Sequence, residues 1–186
     1  GRDIRRYEYE WADKYLIATF PSRHYDIELY PAVKRHLLSF GKERLEQTGK
    51  TYSINGEKIK ARKKTHNKWF ETQDSISYWE DFMRPKIIWK RIGSILRFSY
   101  DTTGNLGLDS TCFATGQHMA YLCCILNSLM GHYMFKDSPK TGTGDLLVSV
   151  QAIEPILIPM NKDMECLFEN LLEEVLEHRS EETEKE

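Results

Sequence analysis

No run of about 18 apolar residues occurs anywhere in the chain. The longest low-charge stretch, residues 117–135, is interrupted by His118, Asn127, Ser128 and His132, so no membrane span is expected. Cysteine is scarce: Cys112, Cys123, Cys124 and Cys166 include an adjacent pair and no Cys-x-x-Cys. That spacing excludes a zinc knuckle and argues against a disulfide framework, leaving buried, reduced thiols of a cytoplasmic protein as the expectation. No Pro-Pro occurs among the six prolines, and with it the polar-Pro-Pro-aromatic loop used to methylate the amino groups of DNA bases is absent. An initiator Met and an apolar leader are also missing from Gly1-Arg2-Asp3-Ile4-Arg5-Arg6. The segment therefore reads as a piece cut from a longer protein.

The catalytic constellations are thin as well. A metal-dependent nuclease needs an acid-x-Lys on a strand near a second acid, but Glu57 and Lys60 are one residue too far apart and Glu80-Asp81 has no evident partner. The histidines (His24, His36, His66, His118, His132, His178) lack metal-ligand spacing. No serine or cysteine triad can be assembled. Thr141-Gly142-Thr143-Gly144 invites a nucleotide-loop reading, yet Lys140 precedes the glycines and a strand pattern follows them. A Walker loop places its Lys after the glycines at a helix start. The loop is then a flexible connector or a backbone-donor loop touching nucleic-acid phosphate. Catalysis by this segment alone is not expected.

What is present is a core and a charge partition. The chain has 186 residues, 40% of them hydrophobic, with 8 Phe, 4 Trp and 10 Tyr, enough for one domain or two small lobes. The formal net charge of −2 conceals large local differences. Residues 161–186 hold 3 basic and 10 acidic side chains, whereas residues 34–68 hold 11 basic and 3 acidic. Fields are screened over about 8–10 Å in salt, so the second block attracts a polyanion locally whatever the total. A solvated helix face and loop is the bland alternative.

The patterning indicates an α+β fold, a mixed or antiparallel twisted sheet with hairpins plus packed helices. Alternation in residues 7–11 and 14–20 predicts a hairpin. Pro31 suits the first turn of a helix bearing Val33, Leu37, Leu38 and Leu45, with Gly41 a break and Gly49 a stop. Residues 51–67, with an Asn55-Gly56 turn, read as an exposed loop or short hairpin. A helical turn around Tyr78, Trp79 and Phe82 ends at Pro85. Strands at 86–92, 95–100 and 108–115 make the central sheet, with a turn at Gly93-Ser94. One helix face runs from Met119 to Met134, a strand spans 146–150, and Pro155 and Pro159 bracket an extended segment. An acidic amphipathic helix follows, giving boundaries of 1–160 for the main domain, 161–178 for the helix packed on it and 179–186 for a disordered tail.

The surviving site is a basic loop flanked by aromatics. Lys60, Arg62, Lys63, Lys64 and Lys68 form a candidate phosphate grip. Asn67 matches paired hydrogen bonding to an adenine edge, and Thr65, Arg91, Lys140, Thr141 and Thr143 are further candidate contacts. Trp69, Phe70, Trp79, Trp89 and Phe98 are expected in the core.

Several strings then fall in a familiar order: residues 1–7, Tyr30-Pro31-Ala32 through Leu37-Leu38, Lys68-Trp69-Phe70-Glu71, Pro85-Lys86-Ile87-Ile88-Trp89, Leu108-Asp109-Ser110-Thr111, Leu126-Asn127-Ser128 and the closing residues 154–159. Over roughly residues 1–160 the chain resembles the TaqI-like C-terminal specificity domain of type IIG restriction enzymes and N6-adenine DNA methyltransferases. It is similar in plan to the specificity subunits of type I restriction systems. The resemblance implies double-stranded DNA as partner and a bacterial or archaeal cytoplasmic setting. It also implies a preceding methyltransferase domain, and possibly a nuclease domain, in the same polypeptide. No cofactor is expected in this segment; S-adenosylmethionine and Mg2+ belong to the parent's other domains. The alternative from a different class is a protein-interaction module docking through the acidic helix, whose apolar stripe runs from Met164 to Leu176.

Overall fold

The computed structural model describes residues 1–178; the expected disordered tail at 179–186 lies outside the described residues. The chain forms two compact units, one of Lys14–Tyr78 and one of Gly1–Asp13 with the chain from Trp79 onward. The fold is α+β, with helices and small antiparallel sheets.

The Lys14–Tyr78 unit opens with two 3-10 turns, Pro21–Arg23 and Ile27–Leu29. Helix α1 (Pro31–Leu38) starts on Pro31, whose missing N–H is no loss in a first turn. Gly41, at φ +86°, breaks the helix and leads into the single turn α2 (Lys42–Leu45). Strands β1 (Thr51–Ile54) and β2 (Glu57–Lys60) then pair antiparallel. Asn55 and Gly56 both hold positive φ, +52° and +86°, the backbone of a type I′ turn whose twist matches the strands. The hairpin is the structured outcome of the loop-or-hairpin expectation.

In the second unit a 3-10 turn, Trp79–Met83, precedes β3 (Lys86–Lys90), β4 (Ile92–Gly93), β5 (Phe98–Asp101) and β6 (Thr111–Thr115). β3 lies between β5 and β6, antiparallel to both. Helices α3 (Met119–Asn127) and α4 (Leu129–Met134), strand β7 (Leu146–Leu147), the short α5 (Val150–Ile153) and α6 (Lys162–His178) complete it. Ile87, Trp89, Leu96, Phe98, Cys123, Leu126, Phe135, Val148 and Leu172 form one buried cluster. Phe98 is its hub, with ring centroids of Trp89 and Phe135 each 5.9 Å away. The amide of Asn127 works like one more strand against it, accepting from Phe98 N at 3.0 Å and donating to Phe98 O at 2.7 Å. Leu172 belongs to the buried cluster, and Phe168, also on α6, stacks on Tyr121 of α3 at 5.5 Å. No helix among the described residues is long and apolar enough to cross a membrane.

Four expectations are corrected. The hairpin at 7–20 does not form, because its halves fall in different units and Tyr7, at φ +73°, bonds the edge of β5 instead. Its N–H donates to Phe98 O at 3.1 Å and its carbonyl accepts from Tyr100 N at 2.8 Å. The helix face from Met119 to Met134 is two helices, broken at Ser128, whose extended backbone and Oγ cap the second by accepting from Gly131 N at 3.1 Å. A Cβ on Gly131 would collide with the carbonyls of Ile125 and Leu126, so this tight corner requires glycine. The Gly93-Ser94 turn is displaced, because Ile92–Gly93 pairs with β7; the strand expected at 146–150 is correspondingly short and yields to α5 at Val150. Not every thiol is buried: Cys123 is, while Cys166 is exposed.

At the ends of β3 and β5, cross-strand partners Lys86 and Asp101 form an ion pair of 2.5 Å with both side chains fully buried. Lys86 Nζ also donates to Phe82 O at 2.7 Å. Asp101 accepts from Thr103 N and Oγ1, each at 2.8 Å, from Asn105 N at 3.0 Å and from the Tyr9 hydroxyl at 3.1 Å. Burial alone would raise the Asp101 pKa, but the Lys86 and Thr103 hydrogen bonds and the Lys86 charge hold it below the usual carboxylate value of 3.8. A depressed folded pKa means stability that is complete above about pH 4 and lost as pH falls through the folded value. Asp101→Asn leaves the Lys86 ammonium buried without its counter-charge and is expected to cost about 3 kcal/mol in denaturant unfolding at pH 7. In acid titrations of stability, the wild type is expected to lose part of its advantage over this variant below about pH 4.

Candidate nucleic-acid interface

The charge partition follows the compact units. Residues 14–78 carry 13 Lys and Arg against 7 Asp and Glu, whereas the rest of the chain carries 13 against 21. The hairpin sorts its residues by the period of two: Tyr52, Ile54 and Ile59 are half-buried, while Thr51, Ser53, Lys58 and Lys60 face solvent. The register pairs Thr51 with Lys60 and Ser53 with Lys58, which makes one continuous polar ribbon face.

Beyond the hairpin, the basic loop is built around Gln47, a buried residue at 4% exposure. Its Nε2 donates to Lys68 O at 3.0 Å and Glu71 O at 2.8 Å, and its Oε1 accepts from Thr65 Oγ1 at 2.6 Å. Its own carbonyl accepts from Thr65 N at 3.1 Å. Buried Glu71 closes the far end, its carboxylate accepting from Lys68 N at 2.7 Å. Arg62 is a second strut. Its guanidinium donates to Leu45 O at 2.8 Å and Trp69 O at 2.5 Å, and burial lowers its pKa while Glu46 opposes that shift.

These contacts sort the sequence-predicted residues. Lys60, Lys63, Lys64 and Lys68 are exposed; the ammonium groups of the first three make no hydrogen bond or ion pair among the described residues. Lys68 lies over the Phe70 ring at 5.6 Å. Lys50 and Lys58 share this free, exposed state. Arg62 and Thr65 point into the framework just described. Asn67 Nδ2 donates to Thr72 O and Gln73 O, each at 3.0 Å, so its donors hold the following turn together. Phe70, Trp89 and Phe98 are buried, as expected, whereas Trp69 and Trp79 are half-buried.

The other candidates lie in the second unit. Arg91 is exposed after β3. Lys140 is exposed at the base of a tight turn, in which the Thr141 and Thr143 hydroxyls bond one another at 2.8 Å and Thr143 donates to the Asp145 carboxylate at 3.1 Å. A carboxylate at the mouth of that turn repels phosphate, which leaves the two threonines poorly placed as phosphate contacts. Among the described residues no group of three His, Cys, Asp or Glu side chains is placed to hold a metal ion.

A free-ammonium face on a pegged loop attracts anions by its charge, but charge alone does not name a partner. The family of the TaqI-like C-terminal specificity domain matches residues 1–149. The chain belongs to this family. No curated protein matches it. Its membership gives the chain a DNA target-recognition role in restriction–modification, and a specificity domain is not catalytic by itself. The match takes in the whole Lys14–Tyr78 unit and the other unit as far as Ser149, stopping before α5 and α6.

The roles of Gln47 and Glu71 are hidden in the sequence, since a Gln or Glu in a polar stretch carries no mark of burial. The only signal is indirect: a loop of many like charges needs something to hold it. Gln47→Ala leaves two backbone carbonyls and the Thr65 hydroxyl without their partner. It is expected to destabilise the unit by about 2 kcal/mol and to speed tryptic cleavage after Lys63 and Lys64, measured by thermal unfolding and limited proteolysis.

Proposed function

We propose that the chain is the double-stranded DNA recognition domain of a type IIG restriction–modification enzyme. In this reading it supplies specificity to an adjoining adenine-N6 methyltransferase domain, and to a nuclease domain, of the same polypeptide. S-adenosylmethionine and Mg2+ serve those other domains and not this one. The observation that carries the reading is the exposed basic face of residues 14–78 within a chain that belongs to a specificity-domain family.

Lys60, Lys63, Lys64 and Lys68 neutralise backbone phosphates, with Lys50 and Lys58 beside them. The ribbon face of Thr51, Ser53, Lys58 and Lys60 suits a major groove about 12 Å wide, which admits a two-stranded β-ribbon. The Thr51 and Ser53 hydroxyls there meet base edges, while Lys58 and Lys60 flank them toward phosphate and Arg62, Asn67 and Gln47 hold the frame that presents them. Phosphate contacts set register and affinity; the ribbon contacts carry sequence information.

Duplex binding by the full chain is expected to weaken with a log–log salt slope of about −4 if four phosphates are neutralised. Lys63→Gln with Lys64→Gln should flatten that slope by about 2 at unchanged melting temperature, read by fluorescence anisotropy at several ionic strengths. A flat slope in the wild type would count against the reading.

A further inference from the structure

The second unit, although acidic overall, contains a cleft of the opposite character. It has a volume of about 210 Å³, and its charged side chains are Arg2, Lys90 and Arg97, the remainder being Ser94, Ile4, Ile95, Gly93 and Gly1, whose terminal ammonium donates to Ser110 Oγ at 3.4 Å. No carboxylate lines it. Arg2 has an exposed partner in Asp3 at 3.5 Å. Lys90 and Arg97 are exposed, and their charged groups make no ion pair or hydrogen bond among the described residues.

The backbone explains how the cations gather. Lys90 ends β3, Gly93 ends β4, and Arg97 directly precedes β5, so the 91–97 connection folds over one end of the sheet. Gly93 is buried, and a Cβ built on it would lie 3.4 Å from Ile95 O and 3.5 Å from Lys90 Cδ. The lysine stem therefore runs along bare backbone. Gly1 supports the same stem from the other side, its ideal Cβ position being 3.2 Å from Lys90 Cγ. Like charges brought together in a concave, partly apolar site repel one another, and an anion seated among them relieves that repulsion.

We infer that this cleft seats a phosphodiester group of the DNA backbone, a phosphate contact separate from the lysine face of residues 14–78. The inference rests on the DNA-recognition reading for the source of the phosphate. Arg97 offers a planar fork of donors suited to two phosphate oxygens, and Lys90 adds a point charge. Ser94 supplies a hydroxyl and a backbone N–H at the rim.

The test compares wild type, Arg97→Gln and the Lys90→Gln/Arg97→Gln double variant in the full chain. Melting temperatures are checked first; Arg97→Gln alone, at an exposed position, serves if the double variant does not fold. In duplex binding by anisotropy, the double variant is expected to lose roughly tenfold in affinity at low salt and about 0.9 from the log–log salt slope, leaving the contribution of Lys63 and Lys64 intact. Unchanged affinity and slope, with wild-type binding present, would overturn the inference while sparing the DNA reading. In a second arm, NMR titration of wild type with the dinucleotide pTpT is expected to shift the Arg97 Nε–H and the Gly93 and Ser94 amides, and the same two amides are expected to stay unshifted in Arg97→Gln. Should the wild type bind no duplex, the DNA reading fails and with it the proposed source. Equal saturation by inorganic phosphate without any effect of the variants on duplex binding would assign the cleft to free anions and likewise overturn the proposal.

Discussion

The larger unit depends on one buried ion pair. Lys86 and Asp101 occupy the open ends of β3 and β5, where no further ladder continues, and each takes the other out of water. A pair in that position is favourable only if every remaining polar site is filled. The Phe82 carbonyl, Thr103, Asn105 and the Tyr9 hydroxyl fill them, and in doing so they order three separate pieces of chain. The 3-10 turn before β3, the turn after β5 and the N-terminal segment are all set by the same two charges. Gly1–Asp13 joins a unit whose other residues begin at Trp79 for this reason, together with the pairing of Tyr7 on β5.

The smaller unit uses polar burial differently. Gln47 is neutral, so its desolvation is modest, yet it reaches both ends of a loop whose lysines repel one another. A charged peg there would either add to the repulsion or neutralise the face it supports. A neutral amide holds the backbone and leaves the ammonium groups free for an external anion. Arg62 repeats the solution from the other flank, since its charge is turned toward carbonyls and half-buried, away from the exposed lysines. The division between framework and contact residues therefore follows burial and not residue type, and an arginine and an asparagine that look like ideal DNA contacts act as struts.

Charge follows the same architecture. The overall −2 is the sum of a basic unit and an acidic one. A nucleic-acid-binding chain need not be basic in total, because screening over about 8–10 Å makes the field near each surface local. Membership of the specificity-domain family points to DNA, and the exposed lysines on residues 14–78 are compatible with a polyanionic partner.

Much of the fold is legible in the order of residues, because local chemistry sets it. Pro31 and Gly41 set the limits of α1, Asn55-Gly56 sets the hairpin turn, and the stripe from Met164 to Leu176 sets α6, since each depends on φ preferences or a 3.6-residue period carried by neighbouring residues. The aromatic core and the basic block are equally plain from the pattern of side chains. The hairpin expected at 7–20 fails because alternation reports a two-faced environment without naming the strand that provides it, and the edge of β5 outcompetes the neighbour in sequence. Ser128 divides a continuous apolar face because its cap and the Asn127 amide both find partners only once the turn is made. Which lysines stand free, which arginine is a strut and where Arg2, Lys90 and Arg97 meet depend on contacts between residues distant in sequence. Sequence alone determined the charge and those elements that local chemistry encodes; the tertiary structure decided the remaining elements and burial, and burial decides which polar groups remain available to a partner.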